Sequence, residues 1–130
     1  MIGLDTTAII DIFKNDLKII KLINSLDKTF ASTIINHQEI MFGLDNENLQ
    51  HLEEEKYYDD FFNNIFVFSL EKPSSKKASK IFWELKKQGE SSGRFDCMIA
   101  GILLSNGINT IITRNVKHFK KIKNLKVISY

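Results

Sequence analysis

The sequence predicts an α/β sandwich built around a mainly parallel sheet of about four or five short strands. Three observations carry that expectation. Short apolar or β-branched runs alternate with helical patterns along the whole chain. The stretch from Cys97 to Leu104 is apolar on nearly every face, which marks a helix of the interior rather than the surface. The run that follows it, Thr110-Ile111-Ile112-Thr113, is composed like a strand buried on both faces.

Ile2-Gly3-Leu4-Asp5 reads as a first strand that ends on an acid, with Thr6 or Thr7 placed to cap the helix carrying Ile9, Ile10, Ile12 and Phe13. Asn15-Asp16 interrupts, and an amphipathic helix follows with Ile19, Ile20, Leu22, Ile23 and Leu26. Phe30-Ala31-Ser32 suggests a second strand. The pattern from Ile34 to Leu44 is helical, and Glu39 shares the face of Ile35 and Phe42, so its carboxylate needs a partner. An acidic helix is expected over Glu47 to Asn63, with Leu49, Leu52, Tyr57, Phe61 and Phe62 inward. Ile65-Phe66-Val67-Phe68 predicts a third strand. Pro73 opens a helix that runs to about Lys87, where its missing donor costs nothing, with Ala78, Ile81, Phe82 and Leu85 inward. A helix beginning at Asp96, after a Ser-Ser-Gly turn, closes at Asn106-Gly107, residues that tolerate a left-handed terminus. Lys126-Val127-Ile128 supplies the last strand.

The chain of 130 residues is expected to form one domain, 1–130, with no repeat or linker; 43% hydrophobic and 26% charged residues suit a globular protein. No apolar run approaches the roughly 20 residues that cross a bilayer, and the first residues do not pattern as a signal peptide, so a cytoplasmic protein without membrane contact is expected. A single cysteine, Cys97, excludes an internal disulfide framework and any multi-cysteine zinc site. The net charge is only +2, yet 13 of the 18 basic residues lie from Lys72 onward, and no acid follows Asp96. That basic end suits a polyanion such as RNA, or simply solvates helix faces.

In a parallel α/β sheet, ligands gather at the carboxyl ends of the strands. Asp5 and Thr113-Arg114-Asn115 belong to that edge, and Glu39 and Asp96 can reach it from flanking helices, although no local spacing forces these positions together. Carboxylates converging in a cleft repel one another unless they share a proton or hold a cation. Oxygen donors without companion thiols favour magnesium or manganese over zinc. Hydrolysis of phosphodiesters is the chemistry such a site performs.

Leu4-Asp5-Thr6-Thr7, Glu39, Phe95-Asp96-Cys97-Met98-Ile99-Ala100 and Ile112-Thr113-Arg114-Asn115-Val116-Lys117-His118-Phe119 together resemble a PIN-domain ribonuclease. More narrowly, the chain is similar to VapC-type toxins of prokaryotic toxin–antitoxin pairs, over essentially its whole length. The resemblance implies a three-layer α/β/α sandwich and Mg2+- or Mn2+-dependent endoribonuclease activity that leaves 5′-phosphate and 3′-hydroxyl ends. It also implies a homodimer silenced by a cognate antitoxin whose tail occupies the acidic cleft. Asp5, Glu39 and Asp96 match the family's metal-binding acids. Asn115 stands where many members have a fourth acid, and an amide oxygen brings no charge to a second cation. Thr6 and Thr113 are candidate supporting hydroxyls, and Arg114 could touch phosphate.

Other readings of the same residues stay open at this stage. Asp5 and Asp96 could each cap a helix, Glu39 could pair with a buried cation, and Asn115 could be a turn residue. His37 and His118 could serve a metal-free ribonuclease as general base and acid. Cys97, without an activating neighbour in sequence, reads as a core thiol, and Trp83 as packing or an interface. With three acids intact, the alternatives to a toxin nuclease are a PIN-like module that binds RNA or protein without cutting, and a PIN nuclease in RNA processing.

Overall fold

The computed structural model describes residues 1–130. Five strands, β1 (Ile2–Leu4), β2 (Phe30–Thr33), β3 (Phe66–Phe68), β4 (Thr110–Ile112) and β5 (Lys126–Ile128), form one sheet in the order β3-β2-β1-β4-β5. All four pairings are parallel, with Gly3 aligned to Ala31 on one side and to Ile111 on the other. The chain therefore winds outward from β1 in one direction, then returns to its other side. The carboxyl ends of β1 and β4 meet where the winding reverses, which is where such sheets bind ligands.

Helices cover both faces. On one lie α5 (Lys72–Lys87), α6 (Arg94–Ser105) and the single turn α7 (Val116–Phe119), packed through Ile81, Leu85, Ile99, Leu103, Ile111 and Phe119. On the other, α1 (Thr6–Phe13), α2 (Leu17–Ser25), α3 (Ile34–Phe42) and α4 (Leu49–Asn63) pack through Leu4, Ile9, Ile19, Ile40, Tyr58 and Phe62. Ile111 and Ile112 serve opposite faces because successive strand residues do. The expected three-layer sandwich with a parallel sheet is thus the observed one. No helix is long and apolar enough to cross a membrane.

Helix α6 is the central piece of its layer, with Cys97 and Ile99 through Leu103 all buried. Gly101 is required there: a Cβ would stand 2.8 Å from both the Ser74 carbonyl oxygen and the Ala78 nitrogen of α5. At the other end, Gly107 adopts φ +75, and Ile108 and Gly107 return hydrogen bonds to Leu103 and Leu104 in the helix-ending pattern expected of Asn106-Gly107.

Several sequence expectations need correction. Helix α6 begins at Arg94, with Gly93 at its N-cap, so Asp96 lies inside its first turn rather than at its start. Neither Thr6 nor Thr7 caps α1, because α1 begins at Thr6 and both hydroxyls are engaged by other segments. In α4, Leu49 is 80% exposed and Tyr57 is only partly covered, its ring edge-on to Phe13, while Tyr58 takes the buried place beside Phe62. That helix is polar through its first half and docks by its second. The turn α7, absent from the sequence reading, forms directly after the β4 edge.

Candidate metal centre

Asp5 stands at the switch point, immediately after β1. It occupies the N-cap position of α1, yet its side chain caps nothing. The carboxylate is instead turned into the protein, 4% exposed, and accepts two hydrogen bonds: Thr113 Oγ1 donates to Oδ2 at 2.7 Å and Asn36 Nδ2 to Oδ1 at 3.1 Å. The capping interpretation of Asp5 therefore fails. Thr113 follows β4, so this bond joins the ends of the two strands at the switch point.

Asn36 is fully buried on α3 and connects the acids. Its oxygen accepts from Thr33 Oγ1 at 2.7 Å, which fixes the amide nitrogen towards Asp5 Oδ1 and towards Thr6 Oγ1 at 3.0 Å. Thr6 passes the chain on, donating to Glu39 Oε1 at 2.7 Å. Asn36 and Glu39 lie three residues apart on one helix face, so α3 presents an amide and a carboxylate together. The partner that a half-buried Glu39 needs is thus a hydroxyl, and no lysine or arginine pairs with it.

Asp96 approaches from α6. Its Oδ2 lies 3.1 Å from His118 Nδ1 on α7. Ser92 Oγ donates to the His118 carbonyl at 3.1 Å, tying the segment before α6 to the same turn. His37 stands apart in character: its ring meets Phe62 edge-on at 4.9 Å between centroids, a packing contact.

The three carboxylates feel one another. Burial raises the Asp5 carboxyl above its ordinary range, only partly offset by the Thr113 and Asn36 hydrogen bonds. Burial likewise raises Glu39, and the charges of Asp5 and Asp96 push it further. Asp96 is raised by burial and by Asp5, with His118 opposing. Such a site is short of positive charge.

Asn115 is placed differently from the acids. Its backbone amide donates to Thr113 Oγ1 at 3.0 Å, but its side chain is exposed and makes no hydrogen bond, not even as N-cap of α7. Arg114 is exposed beside it, with its backbone amide held by Thr7 Oγ1 at 3.0 Å and its Nε 3.6 Å from Asp11 Oδ2. Asp11 also accepts from the Tyr130 hydroxyl at 2.6 Å. Cys97, next to Asp96, is buried, and burial raises its thiol, as befits a core residue.

No three His, Cys, Asp or Glu side chains are drawn tightly enough together to form a ready-made metal cage. The donor set nevertheless suits a hydrated magnesium or manganese ion, which binds through one or two carboxylates and keeps several waters. The observation that supports the fit is Asp5: a buried carboxylate held by neutral donors, with no lysine or arginine to balance it.

Asn36, Thr33, Thr7 and the His118–Asp96 contact were not identified as site features in the sequence. Only Asn36 left a local signal, a polar residue one helical turn before Glu39.

Comparison with known proteins agrees with this architecture. The VapBC2 complex of Rickettsia felis bound to promoter DNA contains a chain that superposes with a TM-score of 0.85 at 22% identity, over 100% of this chain and 99% of that one. DNA-bound VapBC of Salmonella typhimurium gives 0.84 at 22% identity, covering 98% and 96%. VapBC-1 of nontypeable Haemophilus influenzae gives 0.78 at 29% identity, covering 99% and 98%. No curated protein sequence matches the chain. The PIN domain family profile matches residues 2–125, nearly the whole sequence, and the chain belongs to the PIN domain family.

Proposed function

We propose that this protein is a metal-dependent endoribonuclease acting as the toxin of a type II toxin–antitoxin pair. The observation that carries the nuclease reading is the buried Asp5 carboxylate at the switch point, held by neutral donors and near enough to Glu39 and Asp96 for its charge to raise both, with none of the three paired with lysine or arginine. Three carboxylates by themselves repel an RNA phosphate, so a cation is needed for substrate to enter. Asp5, Glu39 and Asp96 would hold magnesium or manganese. When bound, that ion supplies the Lewis acidity that polarises water and a phosphate oxygen.

The chain's own residues set the geometry. Thr113 and Asn36 fix both oxygens of Asp5, and Thr6 fixes one oxygen of Glu39. Among side chains, Asp96 is steadied by His118 alone. Arg114, exposed on the segment after β4, offers a guanidinium to RNA phosphate. The toxin assignment draws on the VapBC neighbours, and with it come a cognate antitoxin that covers the acidic cleft, a homodimer, and action in the cytoplasm.

A second reading has a specific observation behind it. The exposed, unbonded Asn115 replaces a fourth acid, which favours a PIN-like module that binds RNA or protein without cutting. Purified protein freed of any inhibitor, incubated with a mixed RNA pool, separates the two. Cleavage that requires manganese or magnesium, stops with EDTA, and is lost in Asp96→Asn is the expected outcome. Cleavage that survives EDTA would move the chemistry to the histidines, and folded protein that never cuts would favour the binding module.

A further inference from the structure

Asp11 is a buried carboxylate that the proposed cleavage does not use. It is 5% exposed and lies on α1 one turn beyond Thr7, on the same helix face. These two residues hold Arg114 at two points. Thr7 Oγ1 accepts from the Arg114 backbone amide at 3.0 Å, and Asp11 Oδ2 faces the side-chain Nε at 3.6 Å. The Tyr130 hydroxyl donates to the same Oδ2 at 2.6 Å, so Asp11 is itself held in place. Burial, and then the hydrogen bond and charge of Asp11, push the Tyr130 phenol well up, which keeps it a donor.

The arrangement is a poor way to gain stability. An ion pair whose arginine is 59% exposed contributes little, while taking a carboxylate out of water is costly. It is a good way to aim a side chain. Only Nε faces Asp11, and the terminal amines of the guanidinium make no hydrogen bond within the protein, leaving the fork free for two oxygens of a phosphate. Arg114 also follows Thr113, whose hydroxyl donates to Asp5, so its backbone is joined directly to the carboxylate centre.

We infer that Asp11 and Tyr130 are positioning residues that hold Arg114 to receive an RNA phosphate at the rim of the carboxylate site. The inference rests on the nuclease reading. Its test is steady-state cleavage of a fluorescent single-stranded RNA oligonucleotide with manganese, comparing wild type with Arg114→Ala, Asp11→Asn, Tyr130→Phe and the double variants Asp11→Asn/Arg114→Ala and Tyr130→Phe/Arg114→Ala. Binding of the same RNA is measured in an Asp96→Asn background.

Asp11→Asn and Tyr130→Phe should each raise KM and weaken RNA binding about three- to tenfold with kcat little changed, and add nothing to Arg114→Ala, as expected of residues that act through one partner. Tyr130→Phe keeps the ring and is the variant to rely on if Asp11→Asn unfolds. Effects that add in full to Arg114→Ala, or that fall on kcat alone, would show a merely structural role and overturn the inference. Variants indistinguishable from an active wild type would overturn it while leaving the nuclease intact. Wild-type protein that neither binds nor cuts RNA would remove the nuclease reading and this inference with it.

Discussion

The two sides of the carboxylate cleft are built to different standards. On the α3 side, Thr33, Asn36, Thr6 and Thr113 tie Asp5 and Glu39 into one continuous set of hydrogen bonds, most of it sealed from solvent. On the α6–α7 side, Asp96 has a single side-chain contact, to a half-exposed His118, and Asn115 has none. A buried polar network holds its geometry because every member loses energy if it moves. An exposed contact does not, since water replaces it at little cost. The first side is therefore a fixed template, and the second is free to adjust.

The most severe way to break this comparison is at its shared member. Asp5→Asn should lower cleavage by on the order of 1000-fold while the fold becomes more stable at neutral pH. The sign follows from burial, which raises the folded-state pKa of Asp5 above its ordinary 3.8. The stability that the protonated form provides is complete below the unfolded value and lost as pH rises through the folded one. The advantage of asparagine should accordingly be absent in strong acid and grow to a plateau of a few degrees in Tm towards neutrality, read by thermal melts across pH.

Next in size is the template itself. Asn36→Leu removes the donor to Asp5 and Thr6 and the acceptor of Thr33, and should cost about 2 to 3 kcal/mol in urea unfolding and about 10- to 100-fold in cleavage. His118→Gln, on the adjustable side, should change stability by no more than about 0.5 kcal/mol. Equal losses from the two variants would abolish the distinction between the sides.

The smallest effect sharpens it. Asn115→Asp restores an acid on the loose side where the side chain is already in solvent. It should leave the melting curve unchanged and lower the manganese concentration needed for half-maximal activity about two- to fivefold, read by metal titration, since an added carboxylate attracts a dication.

Much of the frame was legible in the sequence because periodicity reports burial directly. The all-round apolar α6 and the β-branched β4 could only be interior, and the acids at their ends follow from the topology. Asp96 was placed slightly wrong, at the start of α6 rather than within its first turn, because Gly93 rather than an acid forms the cap. On α4, Phe61 and Phe62 pack inward as expected, but Leu49 does not, because the acidic first half of the helix gives it no surface to cover. What could not be read were partners distant in sequence. Thr6 and Thr7 look like caps locally, and only tertiary structure brings them to Glu39 and Arg114. The Tyr130–Asp11 bond spans 119 positions, and no window along the chain contains both.

The bond from Thr113 to Asp5 has a consequence in time as well as space. Its ends are 108 residues apart, and β1 has no β4 beside it until the chain between them has been made. Synthesis proceeds from the N-terminus, so a chain still being translated carries Asp5 and Glu39 well before Asp96, Thr113 or Arg114. The segments that carry the carboxylate site therefore cannot come together until late in synthesis, and the N-terminal part of the chain exists first without its partners.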